Sequence, residues 1–192
     1  SRNSTRHESA TTICNLTMRP PTVRPCDVPP GSSLRVFKDS TGYADCYVID
    51  VPGVVAQEDF VVAFYTSPLF KAERTILKYL ASKPATDADV KHLAAGQSDK
   101  FAAWIVERRS PSELLLADFT GRTRSWLMTT PGTADDAGRC TQLYFGSAVI
   151  PRSNRSGKSS GMGFGFYALL GFHRLYSRLL LSAASRNLCR KD

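Results

Sequence analysis

The chain has 192 residues, of which 42% are hydrophobic and 22% charged, and its formal net charge is +8 at pH 7. This length and apolar content predict one folded domain with a core, and no apolar run reaches the 18 residues of a transmembrane helix. The basic balance suggests an acidic partner. However, the basic residues are spread along the chain and are not interleaved with aromatic residues, as binding of single-stranded nucleic acid would need. We therefore expect a basic, soluble surface and no nucleic acid.

The cysteines and the N-terminus bear on the compartment. The first twenty residues lack the apolar stretch of a secretory signal. The five cysteines are odd in number and none shows Cys-x-x-Cys spacing, so neither a zinc site nor a disulfide framework is supported. We expect a reducing, cytoplasmic setting and no metal. A bridge between Cys14 and Cys26 would need an oxidising compartment.

Residues 155–166, RSGKSSGMGFGF, contain a Gly-Lys-Ser triplet and alternating glycines. A P-loop needs a glycine five positions before its Gly-Lys pair, where this chain has Arg152. A dinucleotide-binding fingerprint needs a third glycine where this chain has Phe166. We therefore predict no nucleotide site and no cofactor. The stretch links the last predicted strand to the last predicted helix, either as a loop at the entrance of a cavity or as a solvated linker.

The N-terminal segment, residues 1–33, is rich in proline and has little apolar periodicity. We expect it to be a poorly ordered tail, and we place the folded domain at residues 34–192. The first strand is predicted within residues 42–53, where β-forming residues alternate before Pro52 and Gly53.

Three helices are predicted after this strand. Residues 56–81 carry apolar side chains at helical spacing, and Pro68 divides them into two consecutive helices. A third, short helix is predicted within 86–96, with Thr86 as its N-cap and Gly96 at its C-terminal end.

From residue 101 onward the apolar residues recur at every second position. Four strand-like runs, FAAWIVERRS, SELLLADFTG, RTRSWLMTTP and CTQLYFGSAVIP, are joined by turn-forming residues. Successive strands with such connections predict an antiparallel meander.

Residues 163–188 predict a long amphipathic helix at the end of the chain. Its expected apolar stripe consists of Leu169, Phe172, Tyr176, Leu179 and Ala183, and its expected polar side of Arg174, Arg178, Ser182 and Ser185. Such a helix must cover the sheet, which predicts an α+β fold with an antiparallel sheet curved around the C-terminal helix. A curved sheet does not touch a straight helix along its whole length, so we expect a cavity between them.

Three stretches resemble a bacterial domain family of unknown function that is sometimes attached to short-chain-dehydrogenase-like domains. They are LFKAERTILKYLA, LLLADFTGRTRSWLMTTP with TQLYFGSAVIP, and GFHRLYSRLLLSAA, and the resemblance covers about residues 43–186. The order of elements is similar to the helix-grip superfamily, the START-like or SRPBCC-like proteins. This resemblance implies a hydrophobic ligand cavity, but the superfamily includes carriers as well as polyketide cyclases, so the fold does not select a function.

The last helix carries the first candidate site residues. His173 lies at the edge of the apolar stripe, where an imidazole can act as general acid or base or simply bond to a backbone carbonyl. Tyr176, one turn later, can donate a proton to a ligand carbonyl or can only be packed. Phe172, from the same stripe, is a candidate wall of the cavity.

The predicted hairpins carry the remaining candidates. Asp118 precedes the Thr120–Gly121 turn and is either a catalytic carboxylate or a partner in an exposed ion pair. Arg124 and Trp126 share a strand face that can anchor a carboxylate and stack on a planar ligand, if that face lines the cavity. Tyr144 and Trp104 are further candidate walls, or ordinary core residues.

Two functions follow from this sequence. The first is a carrier or sensor that encloses a small hydrophobic or aromatic metabolite between sheet and helix. The alternative is a cofactor-independent cyclase, dehydratase or isomerase of a carbonyl substrate, in which His173 is the acid/base and Tyr176 and Arg124 polarise or anchor oxygens. A homodimer is left open.

Overall fold

The structure is a computed structural model that describes residues 21–39, 43–81, 85–132, 140–150 and 164–189. The side chains of residues 73, 76–81, 164–173 and 189 lie outside this description. The glycine-rich stretch before Phe164 also lies outside it.

A mixed set of helices and antiparallel strands makes up the described chain. The strands are β1 (Arg24–Pro25), β2 (Tyr43–Pro52), β3 (Lys100–Phe101), β4 (Trp104–Ser110), β5 (Glu113–Asp118), β6 (Thr123–Pro131) and β7 (Cys140–Val149). The helices are α1 (Arg35–Asp39), α2 (Gln57–Tyr65), α3 (Pro68–Ala81), α4 (Asp87–Ala94) and α5 (Phe164–Cys189). The described strands form one sheet in the order β1-β2-β7-β6-β5-β4-β3. The α+β class, the antiparallel sheet and the long C-terminal helix are therefore confirmed.

Local sequence signals account for most of these elements. β4 pairs antiparallel with β5, β5 with β6 and β6 with β7, which confirms the predicted meander. Thr86 forms a capping box with Asp89 at the start of α4, and Gly96 has a φ of +74° just after its end. A left-handed residue at this position is a common way to end a helix, and glycine adopts it without steric cost.

The sheet is covered on both faces. Helices α2 to α5 lie on one face, where the main core includes Phe64, Leu127 and Leu181. On the other face, residues from the N-terminal segment and α1 pack in a smaller core with Trp126. Because side chains alternate along a strand, neighbouring β6 residues such as Trp126 and Leu127 belong to different cores.

Residues 21–33 lie against the sheet, although the sequence analysis assigned them to a tail. β1 pairs with β2, and Val28 is 2% exposed. The backbone N–H of Ser33 donates to Glu113 Oε1 at 2.6 Å. These contacts depend on single apolar residues and on backbone hydrogen bonds, which leave no periodic signal in the sequence.

The buried face of α5 is rotated from the predicted one. Its buried residues include Ser177, Leu180, Leu181, Ala184 and Ser185, whereas Leu179 is 47% exposed. Small residues on this face allow a close approach to α2, and Asn187 Nδ2 donates to the carbonyl oxygen of Ala63 at 3.0 Å. The prediction failed because leucines lie all around this helix, so spacing alone does not fix the phase of the stripe.

Candidate functional site

A groove of about 480 Å³ lies between the first half of β2 and α5. It exists because β1 pairs only with Tyr47 and Val48, so no described strand covers the outer edge of β2 before them. The residues that line it are Pro25, Cys26, Tyr43, Ala44, Asp45, Cys46, Tyr47, Arg174, Leu175 and Arg178. We call this the edge groove.

Two arginines from α5 define the charge of the edge groove. Arg174 and Arg178 are exposed and stand one helical turn apart, so they present their guanidinium groups on the same side of the helix. Arg174 Nε donates to the Tyr43 hydroxyl at 3.1 Å. Within the described part of the chain, Arg178 is exposed and takes part in no hydrogen bond or ion pair. The lining of the groove contains these two cations and a single carboxylate, that of Asp45, so the groove carries net positive charge.

The Asp45 carboxylate is held by its neighbours on the sheet. Ser147 Oγ donates to Asp45 Oδ1 at 2.7 Å, and the Tyr43 hydroxyl lies 3.3 Å from Oδ2. Ser147 is opposite Asp45 in the register between β2 and β7. Ser147 and Tyr43 thus hold the Asp45 carboxylate in place.

The two tyrosines of the edge groove keep their hydroxyl protons. Burial raises the pKa of Tyr47 to about 12, and the Asp45 carboxylate adds to this effect. Burial also raises the pKa of Tyr43, although the hydrogen bond from Arg174 opposes the rise. At neutral pH both hydroxyls are therefore protonated. The Tyr43 hydroxyl already donates to Asp45 Oδ2. The half-buried ring of Tyr43 offers a flat apolar surface to a ligand, whereas Tyr47 is buried.

Cys26 and Cys46 line the edge groove where β1 meets β2, and the side chain of Cys46 packs in the smaller core with Trp126. Their Sγ atoms are 3.3 Å apart, and the backbone N–H of Cys26 donates to the carbonyl oxygen of Cys46 at 3.0 Å. Cys46 is buried and Cys26 is partly exposed. Two thiols thus stand beside the cationic groove.

A second groove, of about 350 Å³, lies at the opposite end of β2 and is more apolar. Its lining includes Val54, Val55, Pro131 and Thr141. The hydroxyl of Thr141 accepts from the backbone N–H of Val55 at 3.0 Å and donates to the carbonyl oxygen of Gly53 at 2.8 Å. Since that hydroxyl is already used, this groove has fewer free polar groups to orient a ligand than the edge groove.

Three of the predicted ligand-binding residues lie on the sheet face that the N-terminal segment covers. Trp126 is fully buried there, and its ring centre is 6.3 Å from that of Tyr144. Arg124 Nε pairs with Glu107 Oε2 at 2.7 Å, and its guanidinium lies 5.0 Å from the ring centre of Phe37. These three side chains are thus separated by the sheet from the helix α5.

The other predicted site residues lie on the helix side or at the end of a hairpin. Tyr176 and Trp104 are partly buried and pack against the main core. Asp118 Oδ1 accepts from the backbone N–H groups of Arg122 and Thr123 at 2.8 and 3.0 Å, as in a turn-stabilising contact. His173 and Phe172 belong to α5, but their side chains lie outside the described residues. The predicted roles of all these residues stay predictions.

Neither a metal site nor a membrane-spanning helix is found among the described residues. No group of three or more His, Cys, Asp or Glu side chains is placed to hold a metal ion there. Nor does that part of the chain contain a helix whose length and apolar character would suit a membrane crossing.

Comparison of the chain with protein-family models, with curated proteins and with solved structures yields no match. The resemblance to helix-grip proteins is therefore untested. The site must be interpreted from its own chemistry.

Sequence reasoning missed the residues of the edge groove for identifiable reasons. Arg174 and Arg178 were assigned to the polar side of α5, and their spacing of four is the one signal that could have paired them. Tyr43 and Asp45 alternate along a predicted strand, but nothing in the sequence shows that its outer edge is left open. The pairing of Cys26 with Cys46 depends on the register of β1, which has only two residues.

Proposed function

We propose that this chain is a binding protein for a small aromatic or hydrophobic molecule that carries an acidic group. The edge groove is the proposed site. The observation that supports it is that two guanidinium groups and two neutral tyrosines line the same groove of about 480 Å³. Arginine binds carboxylate and phosphate groups through paired hydrogen bonds, and tyrosine rings stack on planar ligands.

This proposal keeps the carrier or sensor function and adds a negative charge to the ligand. The groove lies between a strand and the C-terminal helix, which is compatible with a helix-grip architecture in a cytoplasmic carrier. Its size is within the usual range for small-molecule sites. Ala44 and Leu175 would contact the hydrocarbon part of the ligand.

The enzyme alternative has less support. It needs Tyr176, Arg124 and His173 to act on one substrate. Tyr176 packs on the helix side of the sheet, whereas Arg124 is on the other side and is paired with Glu107. A cyclase that uses Arg124 as its oxygen anchor is therefore disfavoured, and a reaction at the edge groove would need Arg174 or Arg178 in that role.

Binding of two fluorescent probes tests the proposal. 8-Anilinonaphthalene-1-sulfonate is an aromatic anion, and N-phenyl-1-naphthylamine is its neutral counterpart. Because hydrogen bonds to charged groups contribute about 1.5–3 kcal/mol, we expect Arg178→Ala to weaken binding of the anion by at least about tenfold. Binding of the neutral probe should change much less.

The control is Arg186→Ala, which removes an exposed arginine from the same helix outside the groove. It should change the affinity for the anion by no more than about twofold, because it removes only a distant charge whose effect is screened by salt. Equal losses in Arg178→Ala and Arg186→Ala would show non-specific attraction and refute the site. So would unchanged binding in Arg178→Ala.

A further inference from the structure

The two cysteines that line the edge groove are placed for a covalent bond. Continuing the register of β1 and β2 brings Cys26 directly opposite Cys46. In an antiparallel pair joined by a backbone hydrogen bond, the Cα atoms are about 5.5 Å apart, which is within the range found for disulfides. The Sγ atoms are already 3.3 Å apart, so side-chain rotation is enough to close the bond.

The two thiols have different environments. Cys26 is partly exposed at the groove, and Cys46 is buried in the smaller core with Trp126. The hydrogen bond from Cys46 lowers the pKa of the Cys26 thiol, against the opposing effect of burial, and the nearby Arg24 guanidinium lowers it further. The same contact and burial raise the pKa of Cys46. Cys26 is therefore the thiol that ionises first, and only the thiolate is a good nucleophile.

We propose that Cys26 and Cys46 are a reversible redox site, in which hydrogen peroxide that enters the edge groove oxidises Cys26 and Cys46 then closes a disulfide. This modification goes beyond ligand binding and does not depend on it. Cys26 has the role of the attacking residue and Cys46 that of the resolving residue.

Each step balances. The Cys26 thiolate attacks one peroxide oxygen, the O–O bond breaks, and the released hydroxide takes up a proton to become water. The product is a sulfenic acid at Cys26. The Cys46 sulfur then attacks the Cys26 sulfur, the S–S bond forms and the S–O bond breaks, and the oxygen leaves as water with the thiol proton of Cys46. Two thiols and one peroxide thus yield one disulfide and two waters, and a dithiol reductant reverses the change.

Peptide mass spectrometry after peroxide treatment of the folded protein tests this inference. Trypsin does not cleave before proline, so Cys14 and Cys26 share the tryptic peptide 7–35, and Cys46 lies in peptide 39–71. A Cys14→Ser background makes the assignment unique. We expect peptide 7–35 linked to peptide 39–71, with loss of two thiols per chain, both reversed by dithiothreitol. Cys26 should react at least about tenfold faster than Cys140, the partly exposed cysteine outside the groove.

Variants separate the two roles. Cys46→Ser should stop at a sulfenic acid on Cys26 that dimedone traps, and Cys26→Ser should leave Cys46 reduced. Cys140→Ser is the matched control and should form the Cys26–Cys46 disulfide as the protein with Cys140 does. Circular dichroism establishes that each variant is folded. The inference is overturned if folded protein keeps Cys26 and Cys46 reduced while Cys140 oxidises, or if Cys26 links to any other cysteine in the wild-type chain.

Discussion

The side chain of Leu34 fills the space directly over Gly146, so that a β-carbon at Gly146 would clash with Leu34 Cδ2. The same β-carbon would lie 2.9 Å from the carbonyl oxygen of Asp45 and 3.0 Å from Trp126 Cε3. Leu34 is fully buried. The contact joins the N-terminal segment to the centre of the sheet at a position where only glycine leaves room.

This contact predicts that Gly146→Ala destabilises the protein. Overpacking in a filled core costs about 1–3 kcal/mol, and we expect the free energy of unfolding in urea to fall by that amount. Leu34→Ala removes one of the clashing groups at its own cost of about 2–5 kcal/mol. In that background Gly146→Ala should cost less, because contacting residues are not additive. Strict additivity of the two changes would contradict the contact.

Glu113 gives a second prediction about the N-terminal segment. Its Oε1 accepts from the backbone N–H of Ser33 and from the indole N–H of Trp126. Glu113→Ala leaves both donors without this partner, and an unsatisfied buried donor costs about 1–3 kcal/mol. We expect lower stability in urea and an altered fluorescence of Trp126.

Glu113→Gln is the matched variant, since an amide oxygen can accept the same two hydrogen bonds. It should recover most of the loss. If Glu113→Gln destabilises the protein as much as Glu113→Ala does, the negative charge matters at this position rather than the acceptor geometry.

The sequence predicted the elements of this fold well because each has a local signal. Period-two alternation marks β6 and β7, the Thr86 capping box marks the start of α4, and Pro68 separates α2 from α3. The hairpins that join the meander strands require no knowledge of distant residues. What could be predicted is therefore the order and type of the elements.

The faces of these elements depend on distant contacts and could not be predicted. Alternation places Trp126 and Leu127 on opposite faces of β6, but it does not tell which face the helices cover. On α5 the apolar residues allow several stripes, and packing on α2 selects the one with Leu181. The candidate site depends on these choices, together with the short pairing of β1, so its residues were the least predictable part of the chain.

The environment of the Asp118 carboxylate predicts that the stability of the protein depends on pH. Burial would raise the pKa of its carboxyl, but hydrogen bonds from the Thr120 hydroxyl and from the backbone N–H groups of Thr123 and Arg122 hold it below the usual value. A carboxylate with a lowered pKa stabilises the folded state above the unfolded pKa of about 3.9, and this contribution is lost as the pH falls through the folded-state pKa.

Asp118→Asn should therefore lower the free energy of unfolding at pH 7 by about 1 kcal/mol. The difference from wild type should start to shrink below about pH 4 and should be lost once Asp118 is protonated in the folded state. Urea unfolding between pH 2 and pH 7 measures this. Asp99→Asn is the control, because the exposed Asp99 forms only a loose ion pair with Arg109 at 3.7 Å. A difference that stays constant over this range would mean that charge has no part in the turn contact.

Closure of the Cys26–Cys46 disulfide predicts a gain in stability. The two residues are 20 positions apart, and cross-linking a loop of that size restricts the unfolded chain by about 3 kcal/mol. We expect the urea midpoint of peroxide-treated protein to rise and to return to its original value with dithiothreitol. Cys46→Ser should show no such difference between the two conditions, because it cannot close the link. The urea midpoint could stay unchanged although mass spectrometry verifies the link. That result would mean that the bond distorts the pairing of β1 with β2. The two sulfurs would then not be poised for closure in the folded state.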